Sequence, residues 1–346
     1  MRMKKIAVLT GTGGQGHFSV ATALESWIKI WGHSAQVFDV IPKVNGDLYK
    51  ILTKSPKSYR SLFNLTDRMP VANLYIEAAT HDLKKRLGKL KCNLESFDLV
   101  ISTHPFIHPV CHAKTMMVLL DPVLHMAYMA KPRADKYLAF WPNDLSKVQK
   151  MGVKKSDIFL SGPLARPAFY FNPKTNTENI ILVTAGGGWI HKTDKYIKIM
   201  SETFKDTPYT FVFVCGKNTK FYEKKSKEFK NRRNLRFLSW LNEQEMANWV
   251  AKSRCVLAFS VAQMSVEAGL LGKPIFIADY IMGQEDGYIK ALTNKKIAKL
   301  LCGKPAEKID LLKTFLLEAN PIKEISLTSW KNELNLVPEK IKGYII

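Results

Sequence analysis

Near the N-terminus, glycine and histidine sit where they could do chemistry. Gly11, Gly13, Gly14 and Gly16 fall within six residues, and His17 follows directly. Such a turn lets backbone N–H groups approach an anion, and a following helix adds the positive end of its dipole. Gly11-Thr12-Gly13-Gly14-Gln15-Gly16 overlays the G-x-G-x-x-G spacing of a dinucleotide phosphate turn. It is not a P-loop, because no Lys-Ser or Lys-Thr pair follows Gly16. A tight turn with no ligand fits the same residues. Three more residues, His104, Asp121 and His125, lie just past apolar runs. Polar groups at the C-terminal ends of parallel strands are placed to meet ligands, although each of these three also suits capping or packing.

The elements that must position them are short. Ile6 to Leu9 is an apolar run that reads as a buried parallel strand. Phe18 to Ile30 carries Val20, Ala23, Leu24, Trp27 and Ile28 at helical spacing. Ala35 to Val40 reads as the next strand, and strand-helix-strand alternation argues for a doubly wound parallel sheet. Phe97 to Ser102 is a strand ending in Thr103-His104-Pro105; Met116 to Leu120 is another, ending in Asp121-Pro122; Lys136 to Trp141 is a third. The polar stretch from Asn172 to Asn179 reads as a linker.

Beyond that linker the pattern restarts. Ile180 to Ala185 is a strand and Gly186-Gly187-Gly188 a second glycine turn. Strands are expected at Phe211 to Cys215, Leu235 to Leu238, Cys255 to Phe259 and Ile275 to Ala278. Helices are expected at Glu243 to Lys252, Val261 to Leu271 and over the amphipathic C-terminal residues. The fold class expected is α/β, two tandem Rossmann-like domains with a cleft between them.

Bulk composition limits the partners. The 346 residues carry 52 Lys and Arg against 30 Asp and Glu, a formal charge of +22. Such a chain favours acidic partners: nucleic acid, anionic lipid or a phosphorylated substrate. A lysine-rich proteome is the plainer reading of the same charge. No nucleic-acid motif is present. The five cysteines are scattered without metal spacing and read as reduced thiols of a cytosolic protein. The first apolar run reads as a strand rather than a signal peptide, and no apolar stretch approaches the ~20 residues that span a bilayer.

Residues 43–92 differ from the rest. Lys50, Lys54, Lys57, Arg60 and Arg68 are interleaved with Tyr49, Tyr59, Phe63, Leu65, Met69 and Tyr75, and a second basic run, Lys84-Lys85-Arg86, follows. Basic residues mixed with exposed apolar ones suit docking on an anionic membrane surface. The same pattern also arises when the apolar residues are core and the lysines a solvated helix face.

Taken in order, these motifs resemble glycosyltransferase family 28 and its relatives, which include the monogalactosyldiacylglycerol synthases and the processive diacylglycerol glucosyltransferases. Glu267-Ala268-Gly269-Leu270-Leu271-Gly272-Lys273-Pro274, followed by Met282-Gly283-Gln284-Glu285, resembles an E-A-x-x-x-G-x-P helix before a P-G-Q-E loop. Gly13 to His17 resembles the G-G-G-H turn, Asp98 to Pro105 a D-x-I-I-S-x-H-P segment, and Gly162 to Pro167 a G-x-P-I-R-P hinge. The resemblance implies a GT-B fold, with residues 1–165 an acceptor and membrane-docking domain. It implies that 166–322 bind a nucleotide sugar, with 323–346 a helical tail. The reaction implied is inverting transfer of a hexose from a UDP-linked sugar to a hydroxyl, with diacylglycerol the leading acceptor, on the cytoplasmic face of a membrane.

The resemblance also assigns roles. His17 would deprotonate or orient the acceptor hydroxyl. Glu267 would accept hydrogen bonds from the ribose, and Gln284 and Glu285 would hold the sugar. Arg166, Gly187, Gly188, Ala262 and Gln263 would surround the diphosphate, so that neither metal nor cofactor is required. Gly14, Gly16, His104 and Asp121 would lie on the acceptor side, and Lys54, Lys57, Arg60, Phe63 and Arg68 would meet the membrane. Two departures stand out. The family's glycine-rich turn before the donor helix is replaced by Val261-Ala262-Gln263-Met264, and the asparagine after P-G-Q-E is Tyr288. A non-catalytic sugar-nucleotide-binding subunit and a sugar-nucleotide epimerase are the alternatives on the same fold.

Overall fold

A computed structural model describes residues 2–11, 15–40, 56–142, 145–171, 176–186, 190–317 and 327–346. Packing divides the chain into two units. One contains Met1–Pro167 with Met282–Gly287 and Leu336–Ile346; the other contains Ala168–Ile281 and Tyr288–Asn335.

The first unit is built on a six-stranded sheet of β1 (Lys5–Thr10), β2 (Ser34–Asp39), β3 (Leu99–Ser102), β4 (Lys114–Leu119), β5 (Lys136–Ala139) and β6 (Ile158–Leu160). Every pair is parallel, in the order β2-β1-β3-β4-β5-β6. Ile6, Ala7, Val8 and Leu9 are fully buried, as a strand covered on both faces requires. Helix α1 (Gln15–Ile30) covers β1 and β2, burying Val20, Ala23, Leu24, Trp27 and Ile28. The basic segment forms α2 (Pro56–Thr66) and α3 (Met69–Lys89), whose buried residues Ala72, Ile76, Leu83 and Leu87 repeat at helical spacing. The chain passes from β1 to β2 on one side and then to β3 on the other. The crevice past β1 and β3 is therefore the topological switch point of this sheet.

The second unit repeats the plan with β7 (Ile180–Thr184), β8 (Thr210–Val214), β9 (Leu235–Leu238), β10 (Cys255–Ala258), β11 (Ile275–Ile277) and β12 (Ala298–Leu300). The parallel order is β12-β11-β10-β7-β8-β9, which puts its switch point past β7 and β10. The helix after β10 runs Ala262–Leu270 and packs against Leu327–Asn335. Gly269 allows that approach: a Cβ there would lie 2.5 Å from the Trp330 ring.

The C-terminal stretch is two helices, Leu327–Asn335 and Val337–Ile345, rather than one. Pro338 lies in the first turn of the second, where a missing N–H costs nothing. That last helix belongs to the first unit. Tyr344 stacks on Phe159 with ring centroids 4.5 Å apart. The Lys4 ammonium donates to the carbonyls of Ile345 and Ile346 at 3.0 and 2.8 Å.

Candidate functional site

The geometry of the first unit centres on its switch point. His17 stands in the first turn of α1, directly past β1, and is 8% exposed. Its Nδ1 lies 2.6 Å from the carbonyl oxygen of Thr103, the residue just past β3. A carbonyl only accepts, so Nδ1 carries the proton and Nε2 keeps a lone pair. Thr103 holds the same residue a second way, because its hydroxyl donates to the His17 carbonyl at 3.2 Å. That hydroxyl also meets the Thr10 hydroxyl at 3.0 Å, across the β1–β3 pair. Burial pushes the His17 pKa down to about 4, with the Thr103 bond acting in the opposite direction. The ring is neutral at physiological pH, as a proton acceptor must be.

His104 lies beside it, with ring centroids 4.5 Å apart and planes tilted by 51°. A tight turn holds His104 in place. The Ile107 N–H donates to the His104 carbonyl at 3.0 Å, and the Phe106 N–H donates to its Nδ1 at 3.2 Å. The Ser102 hydroxyl closes the turn by donating to the Ile107 carbonyl. His104 is 6% exposed, and burial pushes its pKa well below the usual histidine range, with His17 and His125 adding to the effect.

The ring contacts continue outward from His104 to Phe106 and from Phe106 to His125. His125 accepts from the Ala127 N–H at Nδ1, 3.1 Å, and its Nε2 faces the Phe63 carbonyl at 3.2 Å. It therefore caps the short helix Met126–Met129 and ties α2 to it. Asp121 is half-buried, with the Tyr128 hydroxyl donating to it at 3.0 Å. Burial raises its carboxyl to about 6, against the lowering effect of the Tyr128 bond and His125.

The basic helices and the 282–287 loop meet in this unit. Arg60 pairs with Asp286 at 3.3 Å. Gly283, at φ 89°, brings its backbone against Arg60; a Cβ there would lie 3.5 Å from the Arg60 Cα. Glu285 is buried and Gln284 half-buried on that loop. Phe63 is also half-buried, its ring 4.7 Å from His125, so it contributes to packing as well as to the surface. Among the described residues of α2 and α3, Leu62, Leu65 and Leu74 are exposed large apolar side chains, and Arg68, Lys84 and Lys85 are exposed as well. Arg166 is half-buried and belongs to the first unit, and Gly16 opens α1 next to His17. Gly14, Lys54 and the Lys57 side chain lie outside the described residues.

In the second unit the switch point is lined by the turns after β7 and β10. Gly186 has φ 60°, and a Cβ there would meet the Ser260 hydroxyl at 3.3 Å. Glycine takes that backbone without strain and leaves the Ser260 side chain its room. Gly187 and Gly188 lie outside the described residues. Ala262 and Gln263 open the helix whose N-terminus points past β10, and Glu267 stands one turn after Gln263 at 1% exposure. An acidic residue on this helix is of the type that recognises neighbouring hydroxyls, since a carboxylate can accept two hydrogen bonds in a fork.

Thr103, Lys192 and Trp240 were not singled out in the sequence. Thr103 was visible only as part of Ser102-Thr103-His104-Pro105, and its hold on His17 depends on the pairing of β1 with β3. Lys192, whose ammonium donates to the Tyr280 carbonyl at 3.1 Å and lies 3.9 Å from the Asp279 carboxylate, follows the glycine turn closely enough to have been found there. Trp240, just past β9, is 54% exposed with the Lys217 ammonium 5.0 Å from its ring centre.

No family model matches the chain. A processive diacylglycerol beta-glucosyltransferase of Bacillus pumilus (strain SAFR-032) is 25% identical over 313 residues, covering 82% of this chain and 79% of its own. A "Probable monogalactosyldiacylglycerol synthase 3, chloroplastic" of Oryza sativa subsp. japonica is 22% identical over 334 residues, covering 83% of this chain. The alignment spans 63% of the rice protein, under two thirds of its length. Among solved structures, the calicheamicin glycosyltransferase CalG4 superposes with a TM-score of 0.65 at 12% identity, over 100% of this chain and 98% of its own. That likeness establishes the GT-B fold. With the two relatives in sequence, it makes the chain a GT-B glycosyltransferase similar to family 28.

Proposed function

We propose that this glycosyltransferase moves a hexose from a UDP-linked sugar to a hydroxyl of a membrane lipid, diacylglycerol in the first instance, with inversion at the anomeric carbon. The observation that carries the proposal is the state of His17: Nδ1–H is donated to the Thr103 carbonyl, so Nε2 is the proton acceptor. As the acceptor O–H bond breaks, its proton passes to His17 Nε2 and the oxygen forms a bond to the anomeric carbon. The bond from that carbon to the phosphate oxygen breaks, and its electron pair leaves on UDP. Direct attack from the opposite face inverts the centre.

Glu267 holds the ribose in this reading, and Gln284 and Glu285 hold the sugar. The helix N-terminus at Ala262 and the backbone at Gly186 take up the charge that develops on the departing diphosphate. The lipid acceptor is supported by the two relatives, whose names specify a diacylglycerol transferase and a galactosyldiacylglycerol synthase. The exposed leucines of α2 and α3, together with the exposed Arg68, Lys84 and Lys85 of the same segment, support docking on the anionic cytoplasmic face of a membrane. No described helix is long and apolar enough to cross one.

One observation favours a second reading. The donor-side helix opens at Val261, which is fully buried and gives no side-chain cap, where the family turn supplies glycine and a threonine hydroxyl. A chain that binds UDP without turning over would carry that feature. The test incubates the protein with UDP-glucose or UDP-galactose and anionic liposomes containing diacylglycerol. UDP release together with a glycosylated lipid supports the transferase. UDP binding by calorimetry with no release from either donor supports the binding subunit.

A further inference from the structure

The two histidines at the β1–β3 switch point are fixed in opposite tautomers by backbone groups. His17 donates Nδ1–H to the Thr103 carbonyl, 2.6 Å, which leaves a lone pair on Nε2. His104 accepts the Phe106 N–H at Nδ1, 3.2 Å, so in the neutral ring its proton sits on Nε2. Neither Nε2 has a hydrogen-bond partner among the described residues. The rings are 4.5 Å apart, tilted rather than stacked, and nearly buried. Among the described residues, one ring therefore offers an unpartnered acceptor and the ring next to it an unpartnered donor.

A hydroxyl group has the complementary pattern: one proton to give and lone pairs to accept. We propose that His104 is a second catalytic residue, whose Nε2–H donates to the acceptor hydroxyl oxygen while His17 Nε2 takes that oxygen's proton. The inference rests on the transferase reading above and adds a defined role to His104. It commits the site to a neutral hydroxyl acceptor, because a carboxylate or phosphate would face the lone pair of His17. In the step, the O–H bond of the acceptor breaks toward His17 Nε2 while its oxygen bonds the anomeric carbon and UDP leaves. His104 keeps its own proton throughout and orients the oxygen lone pair that attacks. Its neutral state spares His17 a neighbouring positive charge until the proton arrives.

The direct experiment is nitrogen-15 NMR of the histidine rings, which reports tautomers without turnover. His17 is expected protonated on Nδ1 and His104 on Nε2; finding both rings in one tautomer overturns the pair. Adding 1,2-dioctanoylglycerol in detergent micelles should shift both Nε2 resonances together, and a shift of neither overturns hydroxyl capture. In turnover, His104→Ala should raise the KM for dioctanoylglycerol about tenfold and lower kcat, with the KM for the UDP-sugar unchanged. His104→Gln, which keeps an N–H donor, should recover most of the loss. Wild-type KM and kcat in His104→Ala overturn the assignment. If the wild-type protein shows the tautomers and the paired shift but releases no UDP, the transferase reading fails and the hydroxyl site stands.

Discussion

His17 and Thr103 are joined twice across the β1–β3 pair: ring Nδ1 to carbonyl at 2.6 Å, and threonine hydroxyl to histidine carbonyl at 3.2 Å. The double hold explains how a helix-turn residue keeps one ring orientation. It also fixes which nitrogen can take a proton.

The buried neutral state of His17 has a consequence for stability. Its pKa in the folded chain is about 4, below the roughly 6.5 of an exposed histidine. Between these values the unfolded chain binds more protons, so this residue's contribution is present above about 6.5 and is lost as pH falls toward 4. The shift corresponds to roughly 3 kcal/mol at most. His104 and His125 are lowered in the same direction, so the contribution of His17 is read by difference. Urea unfolding at pH 7 and pH 4.5 should show a smaller acid loss for His17→Gln than for the unsubstituted protein. Equal losses would contradict the assignment of the neutral ring.

Asp121 runs the other way. Its carboxyl is raised, so the ionised form is disfavoured in the folded chain, and stability falls as pH rises through about 6. Asp121→Asn removes the charge and keeps an oxygen for the Tyr128 hydroxyl. The variant should be at least as stable as the parent at pH 8, by thermal unfolding. A marked loss there would mean that the carboxylate is stabilising.

Glu267 is 1% exposed on the helix that follows β10 and is proposed to hold the ribose. Replacing it with Ala should weaken UDP binding by about tenfold to a hundredfold, the range expected for hydrogen bonds to a charged group. Calorimetry checks this, and unchanged affinity would remove the ribose assignment.

Gly269 packs beneath Trp330, where a Cβ would sit 2.5 Å from two ring atoms. Gly269→Ala should cost about 1–3 kcal/mol through overpacking. It should also disturb UDP binding, because the same helix carries Glu267. Chemical denaturation measures the first effect, and a neutral substitution would show that the Trp330 contact yields freely.

Arg68, Lys84 and Lys85 are exposed on the segment that carries the exposed leucines Leu62, Leu65 and Leu74. Replacing all three with Gln should weaken sedimentation with anionic vesicles by roughly a hundredfold, at about 1 kcal/mol per charge near such a surface. Binding to neutral vesicles should change little. Equal loss on both kinds of vesicle would argue against an electrostatic dock.

Much of the fold was legible because parallel strands buried on both faces are apolar runs, and Ile6 to Leu9, Leu99 to Ile101 and Cys255 to Phe259 read directly. The break at Pro338 was also written in the chain, although amphipathicity concealed it. The site was less legible. His17 and His104 could be picked out one at a time, by a glycine turn and a strand end. Their tautomers could not, because each depends on a backbone group brought in by folding: the Thr103 carbonyl from a neighbouring strand, and the Phe106 N–H from a turn of particular shape. Phe63 read as a surface aromatic from composition, and its contact with His125 needed the packing of α2 on the segment after β4.

The central claim is that His17 removes the acceptor proton. Its most direct test compares UDP release by the unsubstituted protein and His17→Ala on diacylglycerol liposomes, with UDP affinity measured in parallel. The account predicts a fall in kcat of roughly a hundredfold or more, in the range of a lost general base, with UDP affinity unchanged. Turnover by His17→Ala at the unsubstituted rate would contradict it.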